Sequence, residues 1–129
     1  MNIYQAQLMD YYQHPRNRGT LPNPDFVSEQ YNPSCGDSIV MQGLVQHGRI
    51  TQLMFDGRGC VISQAIASMI TEQCRDKTLD EIVALDQEFV QQFVGRSLGP
   101  TRLKCALLPL QVLQEAIKFY QQRDHSHAQ

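Results

Sequence analysis

Several features are scarce in this chain of 129 residues, and each scarcity excludes a class of protein. The formal net charge is only -2 at pH 7, and no stretch is basic enough to form the electrostatic footprint of a nucleic-acid-binding protein. No apolar run approaches the roughly 20 residues of a membrane-spanning helix. The opening residues, Met1 to Gln7, lack the positive region and apolar core of a signal peptide. We therefore expect a cytoplasmic protein that binds neither nucleic acid nor membrane.

The four cysteines lack the spacing of a zinc finger, because the chain contains no Cys-x-x-Cys pair. Thiols stay reduced in the cytoplasm, so metal-binding, catalytic or buried thiols are expected and disulfides are not. Hydrophobic residues make up 42% of the chain and charged residues 19%, which is typical of globular protein. The length suits a single domain at 1–129, with a core at about 4–120 and a flexible tail at 121–129.

Hydrophobic periodicity predicts an α+β domain. Strands are expected at Phe26 to Tyr31, Ser38 to Gln46 and Thr51 to Phe55. The pair His47-Gly48 between the second and third strands is typical of a tight hairpin, since such turns need positive φ. Together these features predict a three-stranded antiparallel sheet, packed by an N-terminal helix and several C-terminal helices.

Helix signals occur on both sides of the predicted strands. Helices are expected at Tyr4 to Gln13, Cys60 to Gln73, a short segment capped by Thr78, Asp86 to Val94, and a last helix ending near Gln122. Pro109 lies in the last of these and removes a backbone donor. Either the regular helix starts after Cys105, or it bends at Pro109.

Three cysteines stand where a predicted turn meets a helix or strand. Cys35 lies in the turn Asn32-Pro33-Ser34-Cys35-Gly36-Asp37, where Gly36 permits Asp37 to point to the same side. Cys60 begins a helix after Gly57-Arg58-Gly59, so the partial positive charge of the helix N-terminus favours its thiolate. Cys105 is near the start of the last helix, where the same argument is weaker, and Lys104 adds positive charge. Three thiolates and a carboxylate suit zinc or an iron–sulfur cluster, although buried, inert cysteines stay an alternative on spacing alone.

These segments resemble those of the U-type iron–sulfur assembly proteins, the family that contains IscU, SufU and the N-terminal domain of NifU. The matching segments are Asn32 to Asp37, Gly59-Cys60 with Ser63 to Glu72 after it, Lys104-Cys105, and the opening Tyr4 to Arg18. The similarity covers about residues 4–120. It implies a SufE/NifU-like fold, which agrees with the predicted elements.

The resemblance also implies a site and a function. Cys35, Asp37, Cys60 and Cys105 are expected to bind zinc or a transient [2Fe–2S] cluster. Cys60 and Cys105 are the expected sulfur acceptors, with a cysteine desulfurase as donor and apo iron–sulfur proteins as recipients. Formation of a homodimer is left open.

Two departures from the family pattern keep alternative functions open. Scaffold-type members have histidine before the third cysteine, whereas Lys104 is the SufU-like residue and leaves Asp37 as the expected fourth ligand. The insertion that SufU-like proteins carry before that cysteine is missing, and Leu98-Gly99-Pro100-Thr101-Arg102 does not reproduce the chaperone motif Leu-Pro-Pro-Val-Lys. The leading interpretation is an assembly scaffold. A zinc-dependent sulfurtransferase and a structural zinc module are the alternatives.

Three residues have both a structural and a functional interpretation. Cys74 is expected to be a half-buried helix cysteine with no role in the site. Asp37 is either a turn residue that bonds its own backbone or a metal ligand. Lys104 is either a solvated charge or a modulating residue that pairs with Asp37 when no metal is bound.

Overall fold

The structure of the protein is a computed structural model that describes residues 2–95 and 98–128, and side chains as far as residue 123. Eight elements follow one another along the chain, and they are α1 (Ile3–Gln13), β1 (Phe26–Asn32), β2 (Asp37–Gln46), β3 (Arg49–Arg58), α2 (Val61–Gln73), α3 (Leu79–Val83), α4 (Gln87–Val94) and α5 (Pro100–Ala128). This order confirms the predicted α+β class.

The three strands form an antiparallel sheet in the order β1-β2-β3, as predicted. Asn32 pairs with Asp37, so the four residues between them close the first hairpin. Gln46 pairs with Arg49, so His47 and Gly48 form a two-residue turn with φ of 53° and 75°. Such positive φ values match the twist of a two-residue hairpin turn.

One face of the sheet carries the hydrophobic core. Strand β2 alternates buried and half-buried residues, with Ile39 and Met41 fully buried. Helices α2 and α5 pack on the sheet and on each other, and they contribute Ile66 and Leu113 to the same cluster. The two cysteine-bearing helices are thereby fixed to the strands that carry the other site residues.

The ends of α3 and α4 have the capping residues that the sequence predicts. Thr78 and Glu81 form the predicted capping box of α3. The Asp86 side chain accepts from the N–H of Glu88 at the start of α4, and Gly95 ends α4 with a left-handed φ of 68°. The described residues contain no helix long and apolar enough to span a membrane.

Helix α5 differs from its prediction at both ends. It begins at Pro100, so a start after Cys105 is wrong, and it continues to Ala128, well past Gln122. Pro109 lies inside the helix and has no N–H to donate to the carbonyl of Cys105. Tertiary packing offsets this loss, because Pro109 and its neighbours Leu108 and Leu110 are buried. The side chains of the predicted flexible tail beyond residue 123 lie outside the described part of the chain.

Candidate metal centre

Asp37 is the centre of the site. It is the first residue of β2, and its relative exposure is 0%. Its Oδ1 atom accepts a hydrogen bond of 2.8 Å from the backbone N–H of Cys60. The carboxylate therefore joins the start of β2 to the start of α2. The interpretation of Asp37 as a turn residue that bonds its own backbone is replaced by this long-range contact.

The β1–β2 turn places Cys35 beside Asp37. The Asn32 side chain accepts from both the N–H and the hydroxyl of Ser34, at 3.1 and 2.7 Å. The Asn32 carbonyl accepts from the N–H groups of Cys35 and Gly36. Gly36 has a φ of 74°, a left-handed conformation that glycine adopts without strain. The turn thus returns the chain so that Cys35 and Asp37 face the same space, as predicted.

Cys60 is the N-cap of α2, one residue before the helix begins. Its Sγ accepts a hydrogen bond of 3.4 Å from the backbone N–H of Ser63, and the side chain is exposed. Gly59 before it has a φ of 141°, and a Cβ there would lie 2.0 Å from Oδ1 of Asp37. Glycine at this position is therefore what lets the helix start approach the carboxylate closely.

Cys105 enters the site from α5. It lies in the second turn of that helix and is only 5% exposed. The helix packs against both β1 and α2, which directs this thiol towards the buried carboxylate of Asp37. Its burial distinguishes Cys105 from the exposed Cys60.

The ligand atoms of Cys35, Asp37 and Cys105 all lie within 4.8 Å of one another. Cys60 joins them through the same carboxylate, because its Sγ lies 3.3 Å from Oδ2 of Asp37. The structure therefore brings together all four residues that the sequence singled out. Two hairpin residues, one helix cap and one helix interior residue contribute them.

The carboxylate of Asp37 is held in its charged form. Burial raises the pKa of Asp37, but the hydrogen bonds from the Cys60 N–H and from the three thiols lower it by more, so the net pKa lies below the ordinary value of 3.8. In the metal-free protein this charged carboxylate accepts hydrogen bonds from all three thiols. The same four groups therefore lie together when a cation replaces the thiol protons.

Cys105 holds its proton strongly. Burial raises the pKa of Cys105, and its hydrogen bonds to Asp37 and Cys35 raise it further. The expectation that the helix start and Lys104 favour a thiolate at Cys105 is therefore wrong for the metal-free protein. Burial and the adjacent carboxylate outweigh both effects.

Lys104 does not pair with Asp37. Its side chain is exposed, whereas Asp37 is fully buried, and no ion pair joins them among the described residues. Consecutive helix residues point about 100° apart, so Lys104 faces away when Cys105 faces the core. Lys104 instead lines a cavity between β1 and α5, together with Tyr31 and Leu107.

Two further residues support the site, and Cys74 lies outside it. Ser63 is fully buried, and its Oγ lies 3.6 Å from the Cys60 sulfur. The sequence showed Gly59 only as part of a turn, because its close approach to Asp37 depends on the tertiary structure.

Cys74 ends α2 in the core with 0% exposure, more buried than expected, and burial raises its pKa to about 12.

The chemistry of the four donors fits both zinc and an iron–sulfur unit. Zinc takes thiolate sulfur and carboxylate oxygen in tetrahedral sites, and thiolates hold iron–sulfur clusters. Two sulfur donors at about 2.3 Å from one zinc ion lie about 3.8 Å apart. Cys35, Asp37 and Cys105 lie within 4.8 Å of one another, so small side-chain movements suffice.

Comparison with known proteins assigns the fold to a family. The model of the NifU-like N-terminal domain matches residues 3–127, nearly the whole chain. The chain belongs to the NifU-like N-terminal domain family. The sequence resemblance to U-type assembly proteins is thereby confirmed.

The relatives of this chain are named either as sulfurtransferases or as iron–sulfur cluster assembly scaffolds. The zinc-dependent sulfurtransferase SufU of Bacillus subtilis is 30% identical, over 89% of this chain and 89% of its own. The scaffold protein IscU of Thermotoga maritima is 31% identical, over 90% of this chain and 93% of its own. A proposed SUF-system scaffold from Fervidobacterium islandicum superposes with a TM-score of 0.76 at 28% identity, covering 91% of this chain and 96% of its own. Sequence identity alone does not separate the two functions.

Proposed function

We propose that this protein is an iron–sulfur cluster assembly protein, which accepts sulfur from a cysteine desulfurase and holds zinc or a transient [2Fe–2S] cluster. One observation carries this proposal: Cys35, Cys60 and Cys105 all face the buried carboxylate of Asp37. In the metal-free protein the three thiols donate hydrogen bonds to the carboxylate, and after loss of their protons the same groups are metal ligands. A cation-binding site explains the arrangement, because a metal offsets the repulsion between thiolates.

Cys60 is the sulfur acceptor that the geometry supports best. It is exposed, so a partner can reach it, and its Sγ accepts a hydrogen bond from the backbone N–H of Ser63, an interaction that favours a thiolate when one forms. In the transfer, the Cys60 thiolate attacks the outer sulfur of the donor's persulfide. A new S–S bond forms at Cys60, the S–S bond of the donor breaks, and the donor cysteine leaves as a thiolate. The step needs no external oxidant or reductant.

The other three residues hold the ion or the cluster. Cys35 and Cys105 supply sulfur and Asp37 supplies oxygen, with Cys60 completing the set. Zinc, when bound, supplies positive charge that keeps the thiolates deprotonated. For a cluster that is cargo, the carboxylate is a harder and weaker ligand than a thiolate, so Asp37 favours release. Cys105, the other predicted sulfur acceptor, receives sulfur only after it loses its proton.

Anaerobic loading tests this function directly. Incubation with ferric iron and sulfide should give a visible absorption spectrum of a [2Fe–2S] cluster, and the loaded protein should transfer that cluster to apo-ferredoxin. Cys35→Ser and Cys60→Ser should lose the chromophore, and Cys74→Ser should keep it. Absence of both chromophore and transfer in the wild type would contradict the scaffold function.

A zinc-dependent sulfurtransferase that relays sulfur without building a cluster is the second candidate. The relative of that name in B. subtilis and the lysine at position 104 favour it. The alignments with that relative and with the T. maritima scaffold both run over 132 positions, more than the 129 residues of this chain, so both relatives carry residues that this chain lacks and their length does not separate the two candidates. A strong rise in desulfurase turnover that requires bound zinc, without any cluster formation, would select the relay.

The proposed chemistry also has consequences for the cellular compartment and the partners of the protein. Free thiols at Cys35, Cys60 and Cys105 need a reducing compartment, which supports the cytoplasm. Apo iron–sulfur proteins are the proposed recipients of the cluster. Formation of a homodimer stays a proposal that light scattering can test.

A further inference from the structure

A groove between β1 and α5 leads to the cysteines. Three cavities follow one another along it, with volumes of about 140, 350 and 340 Å³. The helix side of the groove is a single stripe that begins at Lys104, passes Gln111 and Phe119 and ends at Arg123. At 1.5 Å per residue the stripe is about 28 Å long, which matches about eight residues of extended chain.

The strand side of the groove is a free sheet edge. Strand β1 is one of the two outer strands of the sheet, and among the described residues no other strand pairs with its far side. Val27 and Tyr31 on this strand are 58% and 64% exposed, and Phe119 across the groove is 66% exposed. Edge strands normally avoid such exposed apolar side chains, because they invite pairing with another chain.

A basic side chain, Lys104, lies at the end of the groove nearest the cysteines. Glu115 is engaged by a hydrogen bond from Gln30, and Arg123 donates to the carbonyl of Asp25 at 2.9 Å. Lys104 is exposed and has no hydrogen bond or ion pair among the described residues. Asp25 also lines the groove, and its carboxylate accepts from the N–H of Val45. Lys104 is thus the one charged side chain of this lining that has no hydrogen-bond partner among the described residues, and its neighbour in the chain is Cys105.

We propose that this groove binds an extended segment of the sulfur-donating protein, which adds as a strand to the edge of β1. Apolar side chains of that segment cover Val27, Tyr31 and Phe119, and a carboxylate on it pairs with Lys104. The groove ends between Pro33 and Lys104, each within two residues of a site cysteine. A segment bound there brings the donor's persulfide to the thiols. The inference rests on the proposed function and assigns Lys104 to partner binding in place of control over Asp37.

The test separates binding from chemistry. Binding of the persulfide-loaded cysteine desulfurase of the source organism is measured by biolayer interferometry with wild type, Phe119→Ser and Lys104→Glu. Both substitutions should weaken binding at least tenfold. Ile3→Ser, at another exposed apolar residue, and Lys118→Glu, at another exposed lysine of α5, are the matched controls and should bind like wild type.

Two further measurements complete the test. Sulfur loading of Phe119→Ser from inorganic polysulfide should equal that of wild type, and the complex should slow hydrogen exchange at residues 27–31. Equal binding by the groove variants and their controls would overturn the proposal, as would a wild-type dimer that Phe119→Ser dissociates, since the groove would then join two copies of the chain. If polysulfide loads no sulfur even on wild type, the proposed function fails, while the binding result still decides the groove.

Discussion

Substitution of Gly59 by alanine tests how the fold builds the site. Gly59 has a φ of 141°, and a Cβ placed there would lie 2.0 Å from Oδ1 and 2.9 Å from Cα of Asp37. The clash involves backbone as well as a side-chain end, so the carboxylate must move. We expect Gly59→Ala to break the hydrogen bond from the Cys60 N–H to Asp37 and to open the donor set.

The magnitude follows from two contributions. A non-glycine residue in a sparsely populated backbone region costs about 1–3 kcal/mol. Loss of a hydrogen bond to a charged, buried group costs about 1.5–3 kcal/mol. The free energy of unfolding of the metal-free protein should therefore fall by roughly 2.5–6 kcal/mol in urea titrations. Zinc affinity should fall by about 10–100-fold, as is usual when a contact that orients a ligand is lost.

Gly36→Ala is the matched control within the same site. Its φ of 74° is also unfavourable for alanine, but no atom lies within 4 Å of the added Cβ. It should cost about 1–2 kcal/mol and leave zinc affinity within a few-fold of wild type. Equal losses of stability in Gly36→Ala and Gly59→Ala would refute the reasoning. A Gly59→Ala protein that binds zinc like wild type would refute the role of the Asp37 contact.

Four other predictions address the thiols and the carboxylate. Because the pKa of Cys74 is raised from 9.0 to about 12, the free energy of unfolding of the metal-free protein should fall as pH rises through this window, and Cys74→Ala should reduce the slope by up to about 1.4 kcal/mol per pH unit in urea titrations. Because Cys105 holds its proton at neutral pH, zinc binding should release protons and strengthen as pH rises, which calorimetry in buffers of different ionisation enthalpy measures. Asp37→Ala should slow cluster transfer to apo-ferredoxin, since the weak oxygen ligand is lost. Cys35→Ala should keep the circular dichroism spectrum of the folded protein, whereas a structural zinc module would unfold.

Local signals made most of the fold predictable. The Thr78 and Asp86 caps, the Gly95 stop and the His47-Gly48 hairpin depend on residues within one turn of each other. Alternation along β2 likewise reports burial directly, because one face of the sheet meets the core. These elements were therefore readable without tertiary information.

The ends of α5 could not be predicted from local sequence signals. Proline in a helix interior is unfavourable by about 3 kcal/mol, so local rules place a helix boundary near Pro109. Packing of Leu108, Leu110 and Leu113 into the core favours a continuous helix instead. The start at Pro100 fits the preference for proline in the first turn.

The site was predictable as a set of residues and not as a geometry. Cysteine contexts and the family resemblance named Cys35, Asp37, Cys60 and Cys105. Burial and exposure were not readable from the sequence, because they depend on how α2 and α5 meet the sheet. The direction of Lys104 was predictable in principle, since neighbours on a helix point about 100° apart.

X-ray absorption at the zinc edge tests the central claim most directly, because it counts the atoms bound to the metal. For the zinc-loaded wild type we predict three sulfur atoms at about 2.3 Å and one oxygen at about 2.0–2.2 Å. Cys35→Ser, Cys60→Ser and Cys105→Ser should each lose one sulfur, and Cys74→Ser should lose none. Fewer than three sulfur atoms in the wild type, or a spectrum unchanged by these substitutions, would contradict a metal centre at Asp37 and its three thiols.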